Sequence, residues 1–361
     1  MIATLTLNSS LDLSVRLGRI DYKDINRVRE IQRDPGGKGI NISRIIHRLK
    51  GETIALGFLG GWTGKKIKEL LDDEGVPGDF VWTAGENRSN ITIDLPEKAG
   101  QIKINEDGPR INKDEMGLLI RKISSLSYGD FLIMSGSVPR GVGEGIYFRM
   151  IRIAQRQGVK AVLDTDGEPL YLGLRAKPFL IKPNIYEAQR LLERIHNKPV
   201  RISTEADLLN AAHYLSKTGV EIVIISWGSR GIIVTSKGKF WRCRPPINSR
   251  VNSALPECLL SATTSRVNSA TTSRVHSALP ECLLSATTSI VHSATTRLKY
   301  TGVGAGDAVV AGFTYGLSRS ERIENCIRWG IACGTAATLQ KGTKLCKTKD
   351  VKRLLKKVKV T

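Results

Sequence analysis

The stretch RLKYTGVGAGDAVVAGF, residues 297–313, decides how the chain is read. Gly304, Ala305 and Gly306 precede a single carboxylate, Asp307, and the apolar run that follows reads as a helix. Small residues let a backbone approach a ligand closely. A helix start offers free N–H groups and the positive end of the macrodipole, so it suits an anion. A carboxylate in that first turn can take a proton from an alcohol while the N–H groups stabilise a transferring phosphoryl group. A Gly-rich turn capped by Asp307 accounts for the same residues, and the stretch alone does not choose.

Directly upstream, RVNSALPECLLSATTSRVNSATTS (250–273) is followed by RVHSALPECLLSATTSIVHSATTR (274–297). One 24-residue unit is written twice, with four differences: Asn252/His276, Arg266/Ile290, Asn268/His292 and Ser273/Arg297. Two copies are too few for a solenoid, whose stacked core takes about three. Ser and Thr dominate, so 250–297 reads as a duplicated, poorly ordered surface insertion, with an interaction loop as the alternative. Its histidines and cysteines recur because the unit recurs, so they carry no metal assignment. Added loop length costs little closure entropy. The insertion nevertheless abuts the segment that leads into Gly304, and a displacement of Asp307 by about 1 Å costs roughly 100-fold in rate.

Elsewhere, short apolar strands alternate with amphipathic helices. Strands are expected at 2–7, 53–60, 130–137, 160–167, 179–184 and 221–228. Several are continuous apolar runs, as in strands buried on both faces of a parallel sheet. In 37–50, Ile42, Ile45, Ile46 and Leu49 share one helical face; in 204–218, Leu208, Ala211, Ala212 and Leu215 do so. This rhythm predicts an open α/β sheet with helices on both sides. NITIDL (90–95) and QIKIN (101–105) instead alternate with period two about PEKAG, which predicts an antiparallel hairpin projecting from the main sheet.

The chain has 361 residues, long enough for one large α/β domain, and a net charge of +21 that favours anionic partners without choosing among them. Aromatics are only 6%, and no stacking pattern supports nucleic-acid binding. The basic end KTKDVKRLLKKVKVT reads as a solvated helix end. No apolar run approaches the roughly 20 residues of a membrane span, and MIATLTLNSSLDL shows no signal peptide. Six cysteines lack CxxC or Cys/His spacing, so neither a zinc site nor a disulfide framework is expected. A soluble cytoplasmic protein is the expectation.

Two more elements join GAGD. DPGGKGINISR (34–44) is a Gly-rich turn opening a helix, with Lys38 and Asn41 as polar contacts for a polyhydroxyl ligand. KPNIYEA (182–188) follows a strand and places Asn184 and Glu187 where both could reach one Mg²⁺–water cluster.

Taken together, these motifs resemble the PfkB branch of the ribokinase superfamily. GGKGIN is similar to its N-terminal signature, TGVGAGDAVVAGF to its C-terminal one, and KPNIYEA to its NxxE magnesium motif. TLTLNSSLD (4–12) resembles the opening strand whose terminal Asp contacts sugar hydroxyls. SGSVPRGV (135–142), LDTDGEPL (163–170) and AATLQKGTKLC (336–346) resemble the phosphofructokinase subgroup. That subgroup contains the minor 6-phosphofructokinase, 1-phosphofructokinase and tagatose-6-phosphate kinase. The resemblance covers all of the chain but 247–297. It implies a ribokinase-like three-layer α/β/α sandwich in a single domain, with a small β-sheet lid from about 13–33 and 88–106 that serves as a dimer interface.

The resemblance also implies roles. Asp307 becomes the general base, and Gly304, Ala305 and Gly306 the anion hole. Asp12, Gly37, Lys38 and Asn41 hold the sugar, and Ser137 lines its pocket. Arg88 takes the existing phosphate, with Lys103 in support. Lys182, Asn184 and Glu187 serve ATP and Mg²⁺, the latter through water, while Ser226 and Gly228 contact the nucleotide. Positioning and charge stabilisation are most of what phosphoryl transfer needs. Two positions depart from the pattern: Ser9-Ser10 stands where relatives commonly have a proline, and Gly302 where threonine is frequent. The expected activity is ATP-dependent conversion of fructose 6-phosphate to fructose 1,6-bisphosphate. 1-Phosphofructokinase or tagatose-6-phosphate kinase is the alternative, toward which Lys38 inside GGKG leans. A kinase fold impaired by the insertion, acting only as a binder, is a further one.

Overall fold

A computed structural model describes residues 1–18, 20–28, 30–95, 100–246, 304–340 and 344–361. The repeat at 250–297, Gly302 and the PEKA turn fall outside the described residues.

Every apolar run predicted as a buried strand pairs in one nine-stranded sheet. Its parallel members are β1 (Ile2–Thr6), β4 (Thr53–Leu59), β5 (Gly78–Trp82), β8 (Phe131–Ser135), β9 (Lys160–Asp164), β10 (Leu180–Ile181) and β11 (Ile222–Ser226). β12 (Ile232–Ser236) and β13 (Lys239–Cys243) extend the β11 edge antiparallel. The order is β13-β12-β11-β10-β9-β8-β1-β4-β5. Successive side chains point to opposite faces, so each strand feeds two cores. Ala3, Leu5, Leu132, Met134 and Leu163 face one, and Ile2, Phe131, Ile133, Val162 and Ile224 the other.

Helices cover both faces. The first core lies under α3 (Lys113–Ser124), α4 (Ile146–Arg156), α5 (Gly167–Leu174), α6 (Ile185–His196) and α7 (Glu205–Lys217). The second lies under α1 (Lys38–Arg48), α8 (Ala305–Ser318), α9 (Ile323–Thr338) and α10 (Thr348–Leu355). The predicted faces of α1 and α7 are the buried ones, and Gly219, at φ 99°, follows α7 as its stop. Gly312, Gly316, Gly330 and Gly334 let α8 and α9 pack closely: a Cβ on Gly312 would lie 2.5 Å from the Trp329 carbonyl.

A separate four-stranded sheet has the order β3-β2-β6-β7, from β2 (Ser10–Arg16), β3 (Glu30–Gly36), β6 (Arg88–Leu95) and β7 (Gly100–Asn105). β6 and β7 form the predicted hairpin. The first pair starts earlier and ends later than the expected 13–33, because pairing continues through Asp12↔Asp34 and Leu11↔Pro35 to Ser10↔Gly36. The sheet alternates strictly. Val15, Ile31, Ile91, Ile93, Ile102 and Ile104 fall on one face; Asp12, Asp34, Arg88, Asn90 and Lys103 fall on the other. α2 (Gly61–Asp73) covers the apolar face only near Leu11 and Leu13.

Candidate active site

The predicted residues converge at the carboxyl ends of the parallel strands, the edge where open α/β sheets bind ligands. Gly304 precedes α8 in the left-handed region, φ 73°, a conformation that favours glycine. This turn brings Asp307 into the first turn of α8, 7% exposed. Asn41, one turn into α1, donates from Nδ2 to Asp307 Oδ2 at 3.1 Å. Burial, with the nearby Asp164 carboxylate adding to it, pushes the Asp307 carboxyl up to about 6. The group therefore remains ionised at neutral pH and is far more basic than an ordinary aspartate.

Asp164, at the end of β9, is the buried centre of the charge cluster. Lys182 Nζ lies 3.1 Å from its Oδ1, Lys38 Nζ lies 3.9 Å from its Oδ2, and Ser135 donates to that oxygen at 2.9 Å. Burial alone would raise its carboxyl, but Lys182 and Lys38 outweigh that and hold it below the ordinary range. Lys38 is raised in turn by Asp164 first, against burial, and then by Asp307 and Glu187. Lys182 approaches the start of α8 closely: a Cβ on Gly306 would lie 3.5 Å from its Nζ. Two ammonium groups thus flank the GAGD turn, the arrangement that stabilises a transferring phosphoryl group.

Asn184 and Glu187 prove to be a reciprocal cap. Asn184 Oδ1 accepts from the N–H groups of Tyr186 and Glu187, and Glu187 Oε2 accepts from Asn184 N–H at 2.8 Å. Burial raises the Glu187 carboxyl. Ser226 N–H donates to the Pro183 carbonyl, which seats β11 beside Asn184. Gly228, at φ 53°, turns the chain after β11.

Of the residues expected at the sugar, Asp12, Arg88 and Lys103 lie on the polar face of the second sheet. Asp12 was expected at the end of the opening strand, and the structure corrects this. β1 stops at Thr6, where its backbone pairing with β4 ends, and in the turn that follows Asn8 donates from its amide to the Asp107 carbonyl at 3.1 Å and Ser137 Oγ at 3.4 Å. Asp12 therefore sits inside β2, where Ser10 Oγ and Asn90 Nδ2 donate to its Oδ1 at 2.8 and 3.0 Å. Burial raises its carboxyl against those hydrogen bonds. Gly36 and Gly37 admit close approach: a Cβ on Gly36 would lie 2.3 Å from the Asp12 carboxyl carbon. Arg88 donates to the Asn8 and Glu106 carbonyls at 3.1 and 3.3 Å. Its buried Nε has no partner among the described residues. Burial lowers its pKa, with Asp12 opposing. Lys103 stands exposed on β7 opposite Thr92, further along β6, so the structure does not bring it beside Arg88.

Sequence reading passed over Asp164, Ser135, Asn8, Asn90 and Arg44. Asp164 left a signal, since KAVLD is an apolar strand closed by a carboxylate at the ligand-binding edge. Arg44 left none, because it lies on the side of α1 opposite the Ile42, Ile45, Ile46 and Leu49 face. It is 2% exposed and donates to Glu74, to Asp34 at 3.5 Å and to the Pro35 carbonyl at 3.0 Å, tying α1 to β3. Asn8 and Asn90 carry no local signal.

A sequence model described as "pfkB family carbohydrate kinase" matches residues 6–254 and 282–350. The 1-phosphofructokinase of Borreliella burgdorferi is 33% identical over 361 residues, covering 100% of this chain and 98% of that protein. That of Bacillus subtilis is 28% identical, covering 100% and 99%. The crystal structure of phosphofructokinase-2 from Escherichia coli in complex with fructose-6-phosphate superposes with a TM-score of 0.78 at 26% identity over 98% of each chain. A phosphotransferase acting on a sugar hydroxyl, with ATP as cosubstrate, is what this fold and site define. The chain belongs to the pfkB family of carbohydrate kinases, and its three layers and lid are the ribokinase-like fold.

Proposed function

We propose that the chain transfers the γ-phosphoryl group of ATP to the 6-hydroxyl of fructose 1-phosphate, giving fructose 1,6-bisphosphate. The observation that carries the chemistry is the buried Asp307 carboxylate, basic and hydrogen-bonded to Asn41, in a helix turn flanked by Lys38 and Lys182. The choice of sugar rests on the two 1-phosphofructokinases at 33% and 28% identity. This replaces fructose 6-phosphate as the leading reading. The earlier choice keeps support from the Escherichia coli structure in complex with fructose-6-phosphate. Both sugars offer a phosphate at one end and a CH₂OH at the other, and both give the same product.

In this reading Asp12, Gly37, Asn41 and Ser137 orient the sugar, and Arg88 takes its phosphate; Lys103, set apart from Arg88 along the sheet, takes no part. Asp307 accepts the proton of the attacking hydroxyl. The N–H groups of Gly304, Ala305 and Gly306, with Lys38 and Lys182, hold the transferring group. Ser226 and Gly228 meet the nucleotide. Among the described residues no cluster of three or more His, Cys, Asp or Glu side chains could hold a metal ion. The capping bonds leave Glu187 Oε1 as an oxygen donor. That set suits Mg²⁺, which keeps its waters and binds through one or two carboxylates and substrate phosphates. Magnesium would neutralise phosphate charge there. No helix among the described residues is long and apolar enough to cross a membrane. Two highly charged substrates imply a cytoplasmic protein. The apolar lid face, with Ile31, Ile102 and Ile104 at 42, 38 and 50% exposure, supports a homodimer through the lid. The repeat at 250–297 is read as an insertion in the family frame; the family match omits its middle, 255–281, and includes 250–254 and 282–297.

The test is ADP release with Mg-ATP and fructose 1-phosphate, fructose 6-phosphate, tagatose 6-phosphate or fructose. Turnover is expected to be highest on fructose 1-phosphate. A preference for fructose 6-phosphate would restore the earlier reading, and silence on all four would favour a binder impaired by its insertion.

A further inference from the structure

Asn90 lies on β6 between Asp12 on β2 and Asn105 on β7, at one register level of the lid. Charge logic fixes the orientation of its amide. Asn90 Nδ2 is 3.0 Å from Asp12 Oδ1 and 2.9 Å from Ser10 Oγ. An ionised carboxylate only accepts, so the NH₂ must face Asp12. Ser10 Oγ gives its proton to Asp12 Oδ1 at 2.8 Å, so it too accepts from Asn90. Both amide protons are thereby used. Asn90 Oδ1 faces away, buried, with no hydrogen-bond partner among the described residues. The same relay loads Asp12 Oδ1 twice and leaves Oδ2 without a donor among those residues. A buried acceptor left unfilled is destabilising, so Asn90 Oδ1 calls for a donor, and Asp12 Oδ2 has room for one more.

We infer that Asn90 is a specificity-determining residue, whose Oδ1 acts with Asp12 Oδ2 as paired acceptors for two neighbouring ring hydroxyls of the sugar phosphate. The inference rests on the sugar-phosphate kinase reading above. A vicinal diol presents two O–H donors side by side, and the amide–carboxylate hydrogen bond keeps the two acceptors together. Ser10 contributes by holding Asp12 and Asn90 in one plane of the lid rather than by meeting the sugar. A sugar lacking one of the two hydroxyls leaves an acceptor unfilled.

The test compares kcat/KM for a ketohexose phosphate and its 3-deoxy and 4-deoxy analogues, in the wild-type chain, Asn90→Ala and Asn90→Val. Valine preserves strand propensity should alanine loosen the lid. The wild-type chain is expected to disfavour at least one deoxy analogue by roughly 10- to 100-fold. In both variants that ratio should fall below about threefold, the signature of coupled partners. Variants that slow all three sugars equally, with the ratio preserved, would reduce Asn90 to a strand residue and overturn the inference. So would a wild-type chain indifferent to both hydroxyls. The analogues are built on whichever ketohexose phosphate is turned over. A substrate other than fructose 1-phosphate therefore defeats the earlier reading alone, while silence on every phosphorylated ketohexose defeats both.

Discussion

At the phosphoryl end, Asp164, Lys38, Lys182 and Asp307 stand on the edge of a sheet packed on both faces. At the proposed sugar end, Asp12, Asn90 and Arg88 stand on a four-stranded sheet whose other face is covered only near Leu11 and Leu13. The first region balances its charges internally, and burial then tunes them. Among the described residues the second leaves Asn8 Oδ1, Asn90 Oδ1 and Arg88 Nε without partners, whereas Asp164 Oδ1 at the first, also without a hydrogen bond, faces the Lys182 ammonium at 3.1 Å. A site that must stabilise developing charge gains from fixed, mutually held ions. A site that must select a ligand gains from unpaired groups that only the right ligand satisfies.

The largest expected effect breaks the phosphoryl end. Asp307→Asn keeps the Asn41 contact within reach but removes the base, so turnover should fall by about 10³-fold or more. Sugar-phosphate and ATP binding, read by calorimetry, should persist, and near-normal turnover would remove Asp307 from the role. Because its folded pKa is raised to about 6, Asp307 stabilises the fold only when protonated, and that contribution is lost as pH rises through 6. The asparagine variant should therefore be harder to unfold at neutral pH, by up to about 3 kcal/mol in unfolding free energy.

Next comes the joint between the two regions. Arg44→Met leaves Asp34 and Glu74 without their buried guanidinium and frees β3 from α1. Denaturant unfolding should show a loss of about 3–5 kcal/mol. A loss below about 1 kcal/mol would mean that the lid is anchored otherwise. Arg88→Ala isolates the sugar end: the KM for the sugar phosphate should rise about 10- to 100-fold while that for ATP stays nearly fixed. Equal changes in both would place Arg88 away from the sugar phosphate. The smallest effect is the pH profile. kcat/KM should decline below about pH 6 and drop roughly tenfold per further unit. An acid limb near pH 4 would show an Asp307 without the burial described.

The amphipathic helices, the apolar strands and the lid hairpin were legible in sequence because each follows from periodicity within a few residues. GAGD, GGKGIN and NxxE were legible because small residues and caps act locally. Asn184 and Glu187 illustrate how one spacing admits two readings, since the spacing expected for a metal closes a capping box. The break after Thr6 was legible, with a strand expected at 2–7; what was not legible is that Asp12 lies inside β2, paired across to Asp34 and Asn90, partners far away in sequence.

By itself, then, the sequence determined the alternation of elements, the glycine turn that opens α8 and the identity of the carboxylate that follows it. Only the tertiary structure decided that Asp164 lies between two lysines from different helices and loops. It alone decided that burial makes the Asp307 carboxyl more basic than an ordinary one and that Asn90 must turn its oxygen away from Asp12. Helical periods, strand alternation and turn chemistry are short-range and leave their trace in adjacent residues. Desolvation and charge pairing depend on which distant groups share a small volume, and no local pattern encodes that.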